Sequence, residues 1–424
     1  MKSPVHSTRV LFLIWVAAVT FCFELIGNDA HAVPLFARKY NTTCFTCHTT
    51  PPLLNDFGRR FQANGYQLPG TNEKFAQADQ PNFPLGVVAQ PMVSHQQIRD
   101  NLNDTTLSNT LSFSGIELAL FSSASLGSHF SYFTAIPVAV FSGVPTVDVE
   151  AADLIYTDAL NDGTGSLNFR LGKFRFFIPY MANTMLTNPN ADPLPYAYDP
   201  FGGKDNLVKA NDLSLSEPTF GASAFGMIPG IGEGLRYDAG ITGGNASDID
   251  LNTAKAYFLS LNQTVYLNNA PVRFGGFYYG GSQDITNTED TLAGQLVQWT
   301  NHITREGLDL EFYDPWTKRL DFFGQYMIGK DDNVDTVGVG YNMTGGFVGL
   351  NVIVLPEKLY VYGRYDILKT KETSDEQHQI DLGLQYNILP NVFFTGVYTI
   401  NKETLPQTID QTTTSIGAGF RFGF

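Results

Sequence analysis

Period-two alternation is the clearest pattern in this chain, and residues 377–387 show it in the sequence QHQIDLGLQYN. One face of this stretch carries four apolar residues, Ile380, Leu382, Leu384 and Tyr386. The other face carries Gln379, Asp381, Gly383 and Gln385. Successive side chains of a β-strand point to opposite sides, so the stretch predicts a strand with one apolar and one polar surface.

Residues 319–328 and 412–424 repeat this alternation over roughly ten residues each, which is the usual length of a strand that crosses an outer membrane. Two all-β architectures fit alternating strands, a soluble sandwich and an outer-membrane barrel. Sandwich strands are usually about five or six residues long, whereas a tilted membrane crossing needs about 9–11. The length therefore favours the barrel.

The connections between these strands differ in length on the two sides. Residues 355–358 and 389–391 read as tight turns, and residues 369–376 and 401–411 read as longer loops. Outer-membrane barrels have short periplasmic turns and longer outer loops. We predict a mainly β fold, an antiparallel outer-membrane β-barrel of about sixteen strands over residues 84–424, preceded by a small N-terminal α-helical domain. The proline-rich residues 179–212 predict either a constriction folded into the lumen or a surface loop.

Composition agrees with a strand-rich exported protein. The 424 residues include 40 Gly, 33 Phe and 20 Tyr, and only 16% are charged. The formal net charge of −15 argues against a nucleic-acid partner, because phosphate binding needs a basic surface.

Residues 1–32 have the form of a secretory signal peptide. Lys2 and Arg9 flank its start, residues 10–23 are mostly apolar, and Ala30-His31-Ala32 fits a cleavage site.

The pentapeptide Cys44-Phe45-Thr46-Cys47-His48 has the C-x-x-C-H spacing of a c-type haem attachment site. Each thiol can add to one vinyl group, and the histidine that follows can ligate the iron from the proximal side. A thioredoxin-like pair would need a βαβ context, and a structural zinc site would need about four ligands. The third cysteine, Cys22, lies in the signal segment. We therefore predict one covalent haem c held by Cys44 and Cys47, with His48 as proximal ligand.

A short helix is predicted over residues 52–64, after the haem motif. Leu53, Phe57 and Phe61 recur every four residues, which places them on one helical face. We expect Phe57 and Phe61 to cover the haem, since residues 33–83 are too few to build a large core of their own. Arg59 and Arg60 would either pair with haem propionates or remain solvated. Residues 69–84 read as a linker.

The distal ligand is predicted to come from the first barrel strand, from Met92 or His95. These two residues lie on opposite faces of a strand, so only one can point inward. Gln90, Ser94 and Gln96 share the face of Met92, which favours Met92. A methionine ligand would raise the reduction potential.

Two clusters of acidic residues would suit brief binding of Fe²⁺. One consists of residues 331, 332 and 335, and the other of residues 372, 375 and 376.

The head of the chain resembles that of the fused monohaem cytochrome–porins. The likeness is carried by Pro34-Leu35-Phe36-Ala37-Arg38, the Cys44–His48 motif, Pro52, Leu53, Phe57-Gly58-Arg59, Phe61 and Asn64-Gly65-Tyr66. Members of that family are outer-membrane c-type cytochromes that oxidise extracellular Fe(II). The resemblance implies a haem domain at the mouth of the barrel or inside its lumen. It also implies electron flow from outside to a periplasmic carrier.

Three functions follow as hypotheses from the sequence. The first is electron transfer from extracellular Fe(II) across the outer membrane of a Gram-negative bacterium. The second is a porin or transport channel with an accessory haem domain. The third is an electron conduit for a donor other than iron. All three place the barrel in contact with outer-membrane lipid.

Overall fold

The computed structural model describes residues 35–40, 42–50, 53–68, 84–141, 144–147, 149–175, 177–178, 193–201, 207–209, 215–216, 218–243, 254–292, 295–334, 338–405 and 409–423. The predicted signal peptide, most of the predicted linker and Pro52 lie outside these residues.

Residues 35–68 form a compact unit that we call the N-terminal segment. Its elements are helix α1 (Leu35–Lys39), a 3₁₀ turn (Cys44–Thr46), the short strands β1 (His48–Thr50) and β2 (Leu53–Leu54), and helix α2 (Asp56–Ala63). The predicted helix is thus present but begins at Asp56, because the two leucines before it pair with β1 and Asn55 caps the helix.

The remaining described strands form one antiparallel sheet. Its strands are β3 (Leu85–Asp100), β4 (Thr105–Ser125), β5 (Phe130–Phe141), β6 (Val144–Val147), β7 (Ala151–Tyr156), β8 (Asn168–Phe174), β9 (Leu207–Lys209), β10 (Thr219–Ile228), β11 (Gly234–Thr242), β12 (Ala256–Leu267), β13 (Ala270–Leu292), β14 (Gln295–Tyr313), β15 (Leu320–Asp331), β16 (Tyr341–Leu355), β17 (Leu359–Thr370), β18 (Asp375–Leu389), β19 (Val392–Leu405) and β20 (Ile409–Gly423).

The sheet closes on itself as a barrel. Consecutive strands pair around the ring except at the short strands β6 and β9, where β5 pairs with β7 and β8 pairs with β10, and β20 pairs with β3 to complete the ring. The short strands β6 and β9 attach to β5 and β13. Without these two, 16 of the 18 strands in the described sheet make up the wall. The predicted architecture of about sixteen antiparallel strands is confirmed.

The barrel is apolar outside and polar inside, as β14 illustrates. Leu308 and Leu310 are 72% and 54% exposed, whereas their neighbours Asp309 and Glu311 are only 6% and 4% exposed. The buried face of a closed ring is its lumen, so the charged residues point inward. In a protein whose outer surface met water, the leucines would lie inside and the charged residues outside, because an unpaired charge is costly to bury.

Both ends of the ring are defined by its connections. β3 begins and β20 finishes at one end, which also carries the connections 126–129, 157–167, 229–233, 268–269, 314–319, 356–358 and 390–391. We call this the terminal end, and the opposite one the loop end. The tight turns predicted near residues 356 and 390 are confirmed. At 268–269, Asn268 and Asn269 both have positive φ, which suits a two-residue hairpin turn.

The long connection after β8 enters the lumen. Tyr196 is 1% exposed, and its hydroxyl donates to Gln325 Oε1 on the inner face of β15. The N–H of Leu194 donates to Asp366 Oδ2 at 3.1 Å. Of the two alternatives for residues 179–212, the described residues 193–201 agree with folding into the lumen, whereas residues 207–209 pair with β13 as β9.

Several strands are longer than predicted. β13 has 23 residues and β14 has 19, more than the 9–11 that a membrane crossing needs. Similarly, β17 ends only at Thr370 and β18 already begins at Asp375, so residues 371–374 alone connect the two strands. The longer loops predicted at 369–376 and 401–411 are therefore wrong, because ladder pairing extends beyond the crossing in both places. None of the described helices is long and apolar enough to cross a membrane.

Candidate functional site

The C-x-x-C-H motif forms a single tight turn. The N–H of Thr46 donates to Thr43 O at 3.1 Å, and the N–H of Cys47 donates to Cys44 O at 3.2 Å. Side chains three positions apart on a 3₁₀ turn lie one above the other. The turn therefore presents the thiols of Cys44 and Cys47 on the same side, as attachment to two vinyl groups of one haem requires.

Both cysteines are free thiols rather than a disulfide. Burial raises the pKa of the Cys44 thiol to about 11. Burial, and to a lesser extent the neighbouring Cys44, raises the pKa of the Cys47 thiol to about 11 as well. Cys47 packs against an apolar cluster in the lumen that includes Leu53 and Leu54. The thiols are thus sheltered and protonated near neutral pH.

His48 begins β1 directly after the second thiol. Its backbone pairs with Leu54 of β2, while Thr49 O accepts from the hydroxyl of Tyr360 at 2.7 Å. Tyr360 lies on the barrel wall and is 4% exposed. The strand that carries His48 is therefore fixed on both sides, by the rest of the segment and by the wall.

Helix α2 packs directly on the motif. A Cβ at Gly58 would lie 2.1 Å from Cys47 O and 2.8 Å from Leu54 Cδ2. Only a residue without a side chain permits this approach. The next turn of the helix brings Phe61 into an aromatic cluster, with ring centroids 5.0 Å from Phe36 and 5.6 Å from Tyr40.

Phe57 and Phe61 have different environments. Phe61 is 6% exposed, but Phe57 is 38% exposed although it stacks on Phe61 at 6.5 Å. Part of the apolar ring of Phe57 is therefore not covered by protein. This ring lies next to Gly58, which packs against Cys47. Two free thiols on one side of a turn, a following histidine and a partly uncovered aromatic ring fit a porphyrin attached at this motif.

Two arginines bind one carboxylate where α2 meets the wall. Arg59 forms a bidentate pair with Glu311, with Nη1–Oε2 and Nη2–Oε1 distances of 2.9 and 2.8 Å. Arg273 donates from Nη1 to Glu311 Oε1 at 2.8 Å, and from Nη2 to Asp56 Oδ1 at the start of α2. All of these except Asp56 are buried. We call Asp56, Arg59, Arg273 and Glu311 the docking cluster.

The docking cluster corrects the expectation for Arg59. We expected this side chain to meet haem propionates or solvent, but it is 7% exposed and bound to a barrel carboxylate. Arg60 is about half exposed and lies 3.8 Å from Glu233. Nothing near Arg59 in the sequence indicates its partner, because 252 positions separate the two residues.

Further contacts hold the N-terminal segment inside the terminal end of the ring. Ser131 Oγ donates to Gly65 O at 2.8 Å, and Asn168 Nδ2 donates to Ala63 O at 3.0 Å. The ring of Tyr66 stacks on Phe133 of β5 at 4.9 Å. Each of these wall residues lies near a connection of the terminal end.

A small cavity of about 50 Å³ lies beside the end of α2, lined by Gln62, Tyr66, Arg170, Arg175 and Arg236, among others. Its size suits a few water molecules rather than a porphyrin. Arg236 Nη2 donates to Gln62 Oε1 at 3.0 Å, so this cavity belongs to the contact between segment and wall.

Met92 and His95 lie on opposite faces of β3. His95 pairs across the sheet with Leu111 and Ile416, which are 64% and 56% exposed, and its Nε2 lies 2.7 Å from Asn109 Oδ1. It therefore faces outward, where it cannot ligate a group in the lumen. Met92 pairs with Gly419 and faces inward. Met92 remains the predicted distal ligand on this strand.

The two acidic clusters do not form iron sites in the described residues. Asp331 is bound to Arg305 and Asn301, and Glu372 accepts from the N–H and Nδ2 of Asn342, both at 2.6 Å. Residue 335 lies outside the described part of the chain. Within that part, no three His, Cys, Asp or Glu side chains converge to hold a metal ion.

Comparison by sequence finds no protein-family model and no curated protein that matches this chain. Comparison by structure finds outer-membrane channels. The chain is similar to the anion-selective porin from Comamonas acidovorans, with a TM-score of 0.55 and 12% identity over 80% of this chain and 98% of that one. It is also similar to OprB of Pseudomonas putida, with a TM-score of 0.52 and 10% identity over 81% of this chain and 94% of that one.

A third similar structure is the outer-membrane channel DcaP of Acinetobacter baumannii, with a TM-score of 0.50 and 11% identity over 80% of this chain and 97% of that one. At these identities the likeness establishes the fold. The barrel of this chain is a porin-type barrel.

Proposed function

We propose that this chain is an outer-membrane electron-transfer protein that carries one haem c inside its barrel. One observation carries the proposal. The segment with the C-x-x-C-H turn is bound within the ring through the buried pair of Arg59 and Glu311. A segment that served only as an export tag or a periplasmic tether would not need a buried charge pair with the lumen, since such pairs are costly to desolvate.

Each residue of the site has a defined task in this proposal. Cys44 and Cys47 would hold the haem covalently, and His48 would ligate its iron. Phe57 would cover part of the porphyrin, with Phe61 packed behind it, and together they would exclude water. When bound, the haem supplies a one-electron carrier. A candidate distal ligand is Met92.

Membrane insertion is supported by the outward face of the wall. Large apolar side chains are exposed there on neighbouring strands, such as Leu308, Phe322 and Val348 at 72%, 44% and 63%. A closed barrel satisfies all of its ladder hydrogen bonds, which is required in lipid. We infer contact with outer-membrane lipid, with the terminal end facing the periplasm because short turns face that side.

The proposed path runs from an extracellular donor to a periplasmic carrier. The apolar band of an outer membrane is about 25 Å tall, so a haem at either surface leaves a long gap. A haem held on the N-terminal segment, inside the terminal end of the ring, would reach part of the way across this band from the periplasmic side. Fe²⁺ is the proposed donor because of the family resemblance, and it would react without a dedicated protein site among the described residues.

The test uses the purified, detergent-solubilised protein in two steps. Its visible spectrum and mass should reveal one covalently attached haem per chain. Rapid mixing of the oxidised protein with Fe²⁺ should then reduce that haem. Haem that is present but reduced only by other donors would favour a conduit for a donor other than iron. Absence of haem would overturn the proposal.

The second candidate function is a porin or transport channel with an accessory haem domain. It is favoured by the porin-type fold and by part of the inner wall. Ser94 and Ser112 share a 2.8 Å hydrogen bond and face inward, where Ser94 is half-buried and Ser112 is exposed. Ion conductance across a planar bilayer separates the two functions. Steady conductance through the haem-loaded protein would favour the channel.

A further inference from the structure

Asn55 connects helix α2 to the C-x-x-C-H turn through four hydrogen bonds. Its side-chain Oδ1 accepts from the N–H of Gly58 at 2.9 Å, which caps the helix. Its Nδ2 donates to Phe45 O at 3.2 Å and to Thr46 O at 3.0 Å. Its backbone N–H donates to Cys47 O at 2.9 Å. One residue thus binds three successive carbonyl groups of the turn.

These three carbonyls are the groups that a short turn leaves without partners. The last carbonyls of a helix have no N–H group within the helix to accept from. A turn of three residues cannot satisfy them internally. Asn55 instead ties them to the first turn of α2, which the docking cluster fixes to the wall through Arg59.

Asparagine is suited to this position because its amide both donates and accepts. Aspartate caps a helix equally well but has no N–H group to offer to Phe45 O and Thr46 O. Serine also caps a helix, but its hydroxyl carries a single proton and reaches less far. A residue that served only as the helix cap would therefore tolerate either replacement.

We propose that Asn55 is the positioning residue of the haem-attachment turn. Its side-chain amide sets the turn against α2, so that the two thiols and His48 are held together for one porphyrin. This inference rests on the proposed function, since it assigns a role in haem attachment and in the setting of the haem. Sequence reasoning did not identify this residue.

The experiment compares Asn55→Asp and Asn55→Ser with the wild-type protein. The matched control is Asn64→Asp at the other end of α2, where Asn64 Nδ2 donates to Gln67 O at 2.8 Å, away from the turn. We measure covalent haem per chain by intact mass, and the midpoint potential and visible spectrum of the haem. Migration on unheated gels shows whether the barrel has folded.

Both Asn55 variants should lose attached haem, and the remaining haem should show a shifted midpoint potential and an altered low-spin spectrum. The Asn64→Asp variant should keep the haem content and potential of the wild-type protein. Variants of Asn55 that match the wild type in all three readouts would overturn the inference and leave the proposed function intact. A wild-type protein without haem would overturn the proposed function itself, and this inference with it.

A second measurement needs no haem. In a background where Cys44 and Cys47 are replaced by alanine, Asn55→Asp should make residues 35–68 more sensitive to limited proteolysis while the barrel stays resistant. Equal cleavage with and without the substitution would contradict the inference that the Asn55 side chain holds the turn against α2.

Discussion

Glu311 holds two guanidinium groups inside the barrel, one from the N-terminal segment and one from the wall. Its neighbours Asp309 and Asp321 are also buried, at 6% and 5% exposure, and accept from Asn262 and Asn351. Taking away one partner of a buried ion pair costs about 3–5 kcal/mol, because the remaining charge stays buried without compensation. The attachment of the segment therefore depends strongly on this single carboxylate.

Replacement of Glu311 by glutamine should loosen the N-terminal segment. The substitution leaves Arg59 and Arg273 around a neutral amide, so we expect docking to weaken by about 3–5 kcal/mol. Limited proteolysis of the folded barrel should then cleave within residues 35–68. The control is Asp381→Asn, which breaks a pair with Arg364 that lies wholly in the wall. If both variants resist cleavage equally, Glu311 does not hold the segment.

Asp314 provides a pH-dependent test at a turn of the terminal end. Its carboxylate accepts from the Thr317 hydroxyl and from the N–H groups of Thr317 and Trp316, which lowers the pKa of Asp314. A lowered carboxyl pKa contributes stability above the ordinary value of about 3.9, and this is lost as the pH falls through the folded-state pKa. Asp314→Ala should thus lower the melting temperature at pH 7.

The difference in melting temperature between the wild type and Asp314→Ala should shrink as the pH is lowered below about 4. Thermal unfolding followed by circular dichroism over a pH series measures it. A difference that stays constant down to low pH would show that the hydrogen bonds to the carboxylate do not stabilise this turn.

At the scale of single elements, alternation was visible in the sequence only where the two faces of a strand meet different surroundings. In β18, outward apolar residues alternate with inward polar ones such as Asp381 and Gln385, so the strand was predictable. In β5, the inner face also carries apolar residues. Phe133 stacks on Tyr66 of the N-terminal segment there, and this packing removes the alternation.

Helix α2 provides the element-scale prediction. Gly→Ala in a helix usually stabilises by about 0.5–1 kcal/mol, but at Gly58 the added Cβ would meet the backbone of Cys47 at 2.1 Å. We therefore expect Gly58→Ala to push the helix away from the turn and to reduce haem attachment. Gly230→Ala is the control, since a Cβ there meets nothing within 4 Å.

Haem per chain, measured by intact mass, is the readout for this pair. Gly230→Ala should match the wild type. Full haem occupancy in Gly58→Ala would mean that the close approach of helix and turn is not needed for attachment.

For the whole molecule, the sequence predicted the barrel and the haem motif as separate parts. It could not predict how they fit together, because the docking cluster joins α2 to β13 and β14, more than 200 positions away. For the same reason, the sequence could not predict that the connection after β8 runs into the lumen. Tyr196 and Gln325 are 129 positions apart, and no local pattern relates them.

Removal of the N-terminal segment should open the barrel to ions. The segment fills part of the lumen at the terminal end, so deletion of residues 35–68 should raise the single-channel conductance in planar bilayers above that of the full chain. The Leu308→Ala variant, which changes only the outward face of the wall and leaves the segment in place, should conduct like the wild type. Equal conductance of the deleted and full-length barrels would show that the segment does not obstruct the lumen.

Electron transfer across a sealed membrane tests the central claim most directly. The haem-loaded protein is placed in vesicles that contain a redox dye and is then given a membrane-impermeant ferrous reductant from outside. We predict that the enclosed dye is reduced by vesicles with the wild-type protein and not by vesicles with the Cys44→Ala, Cys47→Ala variant. Equal rates of dye reduction for the two proteins, or none for either, would contradict an electron path through the barrel.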